Sequence, residues 1–251
     1  MSTASHYCID RMLPADQEER AKTIAEGANP NNLMLPENPE DFAEAMALVK
    51  HKLWEPGRVL HVRFLDGDPA VQAKVEAVAH KWSKHANIQF VFDNASDAEI
   101  RISFLQPGSW SYIGVDALLI LPDQPTMNFG WFDANTTDEE YHRVVLHEFG
   151  HALGCIHEHQ NPGEGGIPWN EEAVIEAYRG APNYWTEQQV RVNILNKYDK
   201  DQTQFTGFDR ASIMLYPVPQ EQTIGDFEIP WQNFELSDVD KQFIGEMYPF
   251  A

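Results

Sequence analysis

Thr137 to His159 reads T-D-E-E-Y-H-R-V-V-L-H-E-F-G-H-A-L-G-C-I-H-E-H, and this stretch decides the fold. It opens as a helix. Thr137 followed three residues later by Glu140 is a capping-box pair, and Asp138 and Glu139 put negative charge where the helix dipole is positive. From there Leu146, Phe149 and Leu153 form one stripe at helical spacing, while Val144, His147, Glu148 and His151 form another. The first stripe is expected to face a core, and the second carries ligand-type side chains. Gly154 follows His151 by three residues, where helices commonly end in a left-handed residue that glycine adopts without a Cβ penalty. The chain can then turn back and bring His157 toward the other two histidines.

Helical residues four apart lie on one face with Cβ atoms roughly 5–6 Å apart, so the imidazoles of His147 and His151 can converge on a single ion. Zinc–nitrogen bonds of about 2.0–2.1 Å suit that reach. With His157 the set has three protein ligands and an open fourth position, the arrangement of a catalytic zinc site rather than a closed structural one. Glu148 adjoins the first ligand without needing to bind the metal, and can act as the general base toward a zinc-held water. The whole pattern, H-E-x-x-H-x-x-G-x-x-H, is therefore expected to hold one catalytic Zn2+ ion. His159 reads as a loop residue, since a fourth ligand would close the site, and Cys155 as a small buried hydrophobe.

The whole chain sets the bounds. With 251 residues, 43% of them apolar and seven Trp, a sizeable core is expected in one large domain or two small ones. Lys+Arg total 18 against Asp+Glu 39, a formal charge of −21, so nucleic acid and anionic membrane surfaces are repelled as partners. No apolar run approaches the length of about 20 needed to cross a bilayer. The start M-S-T-A-S-H-Y-C-I-D has no secretory hydrophobic region, so export is unconventional or a leader is absent from this sequence. Two cysteines, Cys8 and Cys155, are too few for a disulfide scaffold. A monomer is the favoured oligomeric state.

Residues 1–57 read as an N-terminal, mainly helical segment, for latency or packing, and 58–251 as the catalytic domain. Within the first, Pro14 to Glu26 is a polar helical stretch stopped by Gly27 and N-P-N-N. A second helix is capped by Asn38, with Phe42, Met46, Val49 and Leu53 as its apolar stripe. From Arg58 the pattern changes to strands: 58–65, then a helix with Asp68 as cap and Val71, Val75, Val78 and Trp82 as its buried face, then 88–92 and 99–105. Strand, helix, strand implies a right-handed crossover and parallel pairing. Ser109 to Phe132 reads as irregular edge strands, where an extended peptide can add by β-augmentation. Residues 168–178 form a short helix. The last helix starts at Ser237, with Val239, Phe243, Ile244 and Met247 read as packing only.

H-E-F-G-H-A-L-G-C-I-H-E (147–158) followed by S-I-M-L-Y (212–216) resembles the metzincin clan of zinc endopeptidases, and within it the astacin family. Glu158 directly after the third histidine and the S-I-M-x-Y turn are the astacin-like features, although Leu215 stands where His is common. The resemblance implies an α+β metzincin fold: a twisted mixed β-sheet with two long helices in the N-terminal half, and an irregular C-terminal half ending in a helix. It implies zinc ligands at His147, His151 and His157, the base at Glu148, Met214 beneath the metal site, and Tyr216 approaching it to stabilise the tetrahedral intermediate. Secretion is expected on the same ground. Metzincin precursors commonly block zinc with an N-terminal thiolate or carboxylate; Cys8 or Asp10 is placed in sequence to do this, although no precursor signature surrounds them and a thiol near a terminus is more often incidental.

The function that follows is a zinc endopeptidase acting on an extended peptide or protein, with a zinc-held water activated by Glu148. The alternatives are a catalytically silent zinc-stabilised peptide-binding module and a metzincin hydrolase acting on a non-protein amide.

Overall fold

A computed structural model describes residues 8, 11, 13, 17–33, 48–49, 52–163, 166–180, 184–197, 203–204, 207–230 and 232–250. The polar N-terminal stretch forms α1 (Glu18–Ala28), followed by a 3-10 turn at Pro30–Leu33. Gly27 lies inside this helix, and the helix ends at Asn29, whose backbone is extended. Asn29 Nδ2 donates to Trp54 O at 2.9 Å, and Asn32 Nδ2 reaches Ala25 O at 2.8 Å and Leu53 O at 3.1 Å. These buried amides fix α1 to the chain that leads into the sheet. Ala25, Leu53 and Trp54 belong to the same apolar core as the sheet itself.

The helix expected after Asn38 is corrected at its C-terminal part. Leu48–Val49 is a short strand, β1, paired antiparallel with Thr203–Gln204, a distant partner whose ladder the local 3.6-residue pattern does not reveal. Asn38, Phe42 and Met46 lie outside the described residues.

The alternating run before D-G-D-P becomes β2 (Val59–Phe64), with Leu60 and Val62 buried. It is joined in one sheet by β3 (Gln89–Phe92), β4 (Ile100–Ser103), β5 (Ser109–Ser111) and β6 (Met127–Phe129), in the order β3-β2-β4-β6-β5. The pairings β2–β3, β2–β4 and β4–β6 are parallel, and β5 runs antiparallel to β6 at the edge. The seventh strand, β7, is the Thr203–Gln204 partner of β1. Between β2 and β3 lies α2 (Pro69–Ala79), with Asp68 accepting from Ala70 N at 2.7 Å and Val71, Val75 and Val78 buried. Trp82 falls just past this helix in a 3-10 turn, fully buried, and its Nε1 donates to Leu146 O at 2.9 Å.

That carbonyl belongs to α3 (Asp138–Ala152), the helix of the H-E-x-x-H pattern, which packs against α2. Thr137 accepts from Glu140 N at 3.3 Å, while the Glu140 carboxylate is engaged by Arg143 and by Trp131 Nε1. Phe149 buries its ring edge-on to Phe90, centroids 4.9 Å apart. Burying side chains such as Leu146 and Phe149 stabilises the fold by roughly 1.5–3 kcal/mol each.

The C-terminal half contains α4 (Glu171–Arg179), capped by Asn170, and a short α5 (Glu187–Val190) that continues as a π-turn over Arg191–Leu195. The chain closes with α6 (Asp238–Met247), capped by Ser237. Phe243, Ile244 and Met247 are buried as expected, but the packing-only reading of this helix is corrected. Its Asp240 is a fully buried carboxyl that hydrogen-bonds the S-I-M-L-Y segment.

Candidate zinc-binding active site

His147 and His151 stand one turn apart on α3, with Nε2 atoms 3.2 Å apart. Gly154, at φ +102°, ends the helix in the left-handed region and redirects the chain. His157 then lies with its Nε2 3.2 Å from that of His151 and 3.1 Å from that of His147. All three rings are buried.

Backbone carbonyls can only accept, which fixes two tautomers. His147 Nδ1 donates to Ile213 O and His151 Nδ1 to Cys155 O, both at 2.8 Å, so both Nε2 lone pairs point inward. Burial pushes His147 well below the ordinary imidazole range, helped by His151 and His157, and burial with His159 does the same to His157. Neutral imidazoles converging their lone pairs on one point repel each other until a cation lies among them. Three nitrogen donors suit zinc, and the donors' outer hydrogen bonds orient them as in zinc sites generally.

Glu148, the next residue on α3, is fully buried, and its Oε2 accepts from Cys8 Sγ at 3.3 Å. Cys8 and the three histidines bring four ligand-type atoms within 4.8 Å of one another, all buried. The Tyr216 hydroxyl lies 2.5 Å from His157 Nε2 and 3.0 Å from Cys8 O, so the phenol reaches the converging nitrogens.

The segment beneath is held from several sides. Met214 N and Leu215 N bond back to Ser212, Met214 O accepts from Glu158 N at 2.9 Å, and Ile213 O is the acceptor of His147. Met214 packs so closely under α3 that a Cβ at Gly150 would collide with its sulfur. Asp240 accepts from Ser212 Oγ and Ile213 N at 2.8 Å and from Ser237 N at 2.9 Å. Burial outweighs these bonds and pushes its carboxyl up to about 6.

Glu158 is also buried, accepting from Asp209 N at 2.8 Å and Asn161 Nδ2 at 3.0 Å, and burial pushes its carboxyl up to about 8. His159, read as a loop residue outside the ligand set, lies in a short 3-10 turn and is buried, with Nε2 3.0 Å from Asn193 O. Cys155 is fully buried with its thiol pushed well up by burial, and neither Cys8 nor Cys155 is in a disulfide. The structure brings His147, Glu148, His151, His157 and Tyr216 together, with Gly154 at the turn and Met214 beneath. Sequence reasoning left out Asp240, whose signal was a carboxyl on the core stripe of α6, and it placed Cys8 only by resemblance. Asp10 lies outside the described residues.

A family model described as Astacin (Peptidase family M12A) matches residues 47–228. A solved structure of myroilysin superposes with a TM-score of 0.79 at 44% identity, covering 82% of this chain and 99% of that one. A crystal structure of myroilysin gives 0.62 at 42% identity, over 79% of this chain and 86% of the other. High choriolytic enzyme 1, a hatching enzyme zinc-protease from the medaka fish Oryzias latipes, shares the fold at 0.55 and 20% identity, over 80% and 96%. No curated protein matches the chain.

Proposed function

The chain belongs to the astacin family, peptidase family M12A, and is a zinc-dependent endopeptidase acting on peptide or protein substrates; on that premise we propose that His147, His151 and His157 hold the zinc while Glu148 and Tyr216 serve the reaction. The observation that carries this reading is the convergence of three buried Nε2 atoms within 3.2 Å, with the Cys8 thiol among them and hydrogen-bonded to the Glu148 carboxylate. Bound there, zinc supplies Lewis acidity toward the scissile carbonyl and toward water. Glu148 takes the proton of the attacking water and delivers it to the leaving amine. The Tyr216 hydroxyl, held at the rim of the histidine cluster, donates to the oxygen on which charge develops. Met214 supports α3 from below, packed against Gly150, and Gly154 turns the chain that presents His157.

The substrate binds extended along β5. That edge is paired in this structure with the N-terminal segment, Cys8 bridging to Ser109 and Arg11 to Tyr112, both parallel. Residues 1–57 therefore act as a latency segment on the catalytic domain, 58–251. Its thiol touches the base and lies with the ligand atoms, where it would complete the ligand set and deny both to a substrate. No helix among the described residues is long and apolar enough to cross a membrane. The formal charge of −21 opposes nucleic-acid and anionic lipid partners. The enzyme works as a monomer outside the cell, the location resting on the family resemblance.

Digestion of a peptide library by the zinc-loaded chain and its Cys8→Ala variant, with and without chelator, tests this reading. Internal cleavage that chelator abolishes is expected, faster in the variant. Cleavage that persists at full rate after zinc is stripped would overturn it.

A further inference from the structure

Arg11 occupies a seat on the surface beside β5 that the reaction does not use. Its guanidinium carbon lies 4.3 Å from the centroid of the Trp110 ring, and its Nη2 donates to Gln106 Oε1 at 3.4 Å. Arg11 forms one wall of a groove that runs between the N-terminal segment, at Leu13 and Gln17, and Gln106, Trp110 and Tyr112 of the sheet edge. Trp110 is buried, whereas Gln106 is half-buried and its side-chain oxygen points at the cation. The Arg11 Nε is buried without a hydrogen bond, so the guanidinium is held by its face and one edge. An aromatic face plus one carbonyl oxygen recognises a cationic group rather than one residue's full hydrogen-bond pattern, so arginine and lysine both qualify.

We propose that this groove is a substrate subsite for a basic side chain, with Trp110 and Gln106 setting the preference. The proposal rests on the endopeptidase reading and on a substrate that lies extended along the β5 edge, in either chain direction. Extended chains alternate their side chains, so one fixed position relative to the scissile bond falls on the groove. The net charge of −21 favours the approach of cationic peptides in the same direction.

The test uses the zinc-loaded full chain carrying Cys8→Ala and a peptide library analysed for cleavage positions. Arg or Lys should be enriched at one position along the cleaved sequences. For a matched peptide pair with Arg or Ala there, Gln106→Lys should lower kcat/KM for the Arg peptide about tenfold and leave the Ala peptide within about twofold, while Gln106→Glu should widen the Arg preference. Cleavage without a basic position, or an Arg-to-Ala ratio that Gln106→Lys leaves unchanged, would overturn the subsite while leaving the endopeptidase standing. A second arm needs no turnover: in the chain with Cys8 intact, Gln106→Lys should unseat Arg11 and speed alkylation of the Cys8 thiol severalfold. An unchanged alkylation rate would also count against the subsite.

Discussion

Cys8 Sγ donates to Glu148 Oε2 across 3.3 Å, although the two residues lie 140 positions apart in sequence. A thiol on the carboxylate proposed as base, among the nitrogens proposed as ligands, leaves the reaction no free base. Cys8→Ala should therefore raise the turnover of the zinc-loaded full chain at least about tenfold, since a base in reach typically contributes about 10²–10⁴-fold. Steady-state cleavage of one fluorogenic peptide by both proteins measures this, and equal rates would remove Cys8 from any role in latency.

Asp240 couples stability to pH. Its carboxyl is pushed up to about 6 in the fold from an ordinary 3.8, so the folded chain keeps a proton that the unfolded chain has lost. This contribution is fully present below the unfolded value and lost as pH rises through about 6. Asn at 240 does not titrate. Stability of wild type relative to Asp240→Asn should thus fall by about 2 kcal/mol between pH 4 and pH 7. Urea unfolding of both proteins, with chelator present throughout, reads the difference, and a gap that stays constant with pH would place the carboxyl's titration elsewhere.

Much of this site is legible because its signals are local. Thr137, the 3.6-residue stripes and Gly154 mark where α3 starts, what it presents and where it stops, and the structure places each as expected. Illegible features depend on partners distant in sequence. Leu48–Val49 reads as the tail of a helix until Thr203–Gln204 supplies a ladder, and Asp240 has no role beside the Phe243, Ile244 and Met247 stripe until Ser212 and Ile213 reach it. The cation seat is of the same kind, since nothing near Arg11 in sequence announces Trp110 or Gln106.

The role proposed for Tyr216 rests on its hydroxyl, which lies 2.5 Å from His157 Nε2. Tyr216→Phe keeps the ring packed against His157 and deletes only the donor. Loss of one oxyanion donor costs about 10²–10³ in turnover elsewhere, so a fall of at least about tenfold in kcat is expected, with KM and zinc content little changed. An unaltered kcat would reduce Tyr216 to a packing residue.

Glu148 is proposed as the base of a three-histidine zinc site, and Glu148→Gln in the Cys8→Ala background decides whether it is. Glutamine fills the same buried space but cannot take the proton. Metal analysis and peptide cleavage on the same preparation should give one zinc per chain and a kcat lower by about 10²–10⁴-fold. One zinc per chain with the parent's kcat would contradict the account.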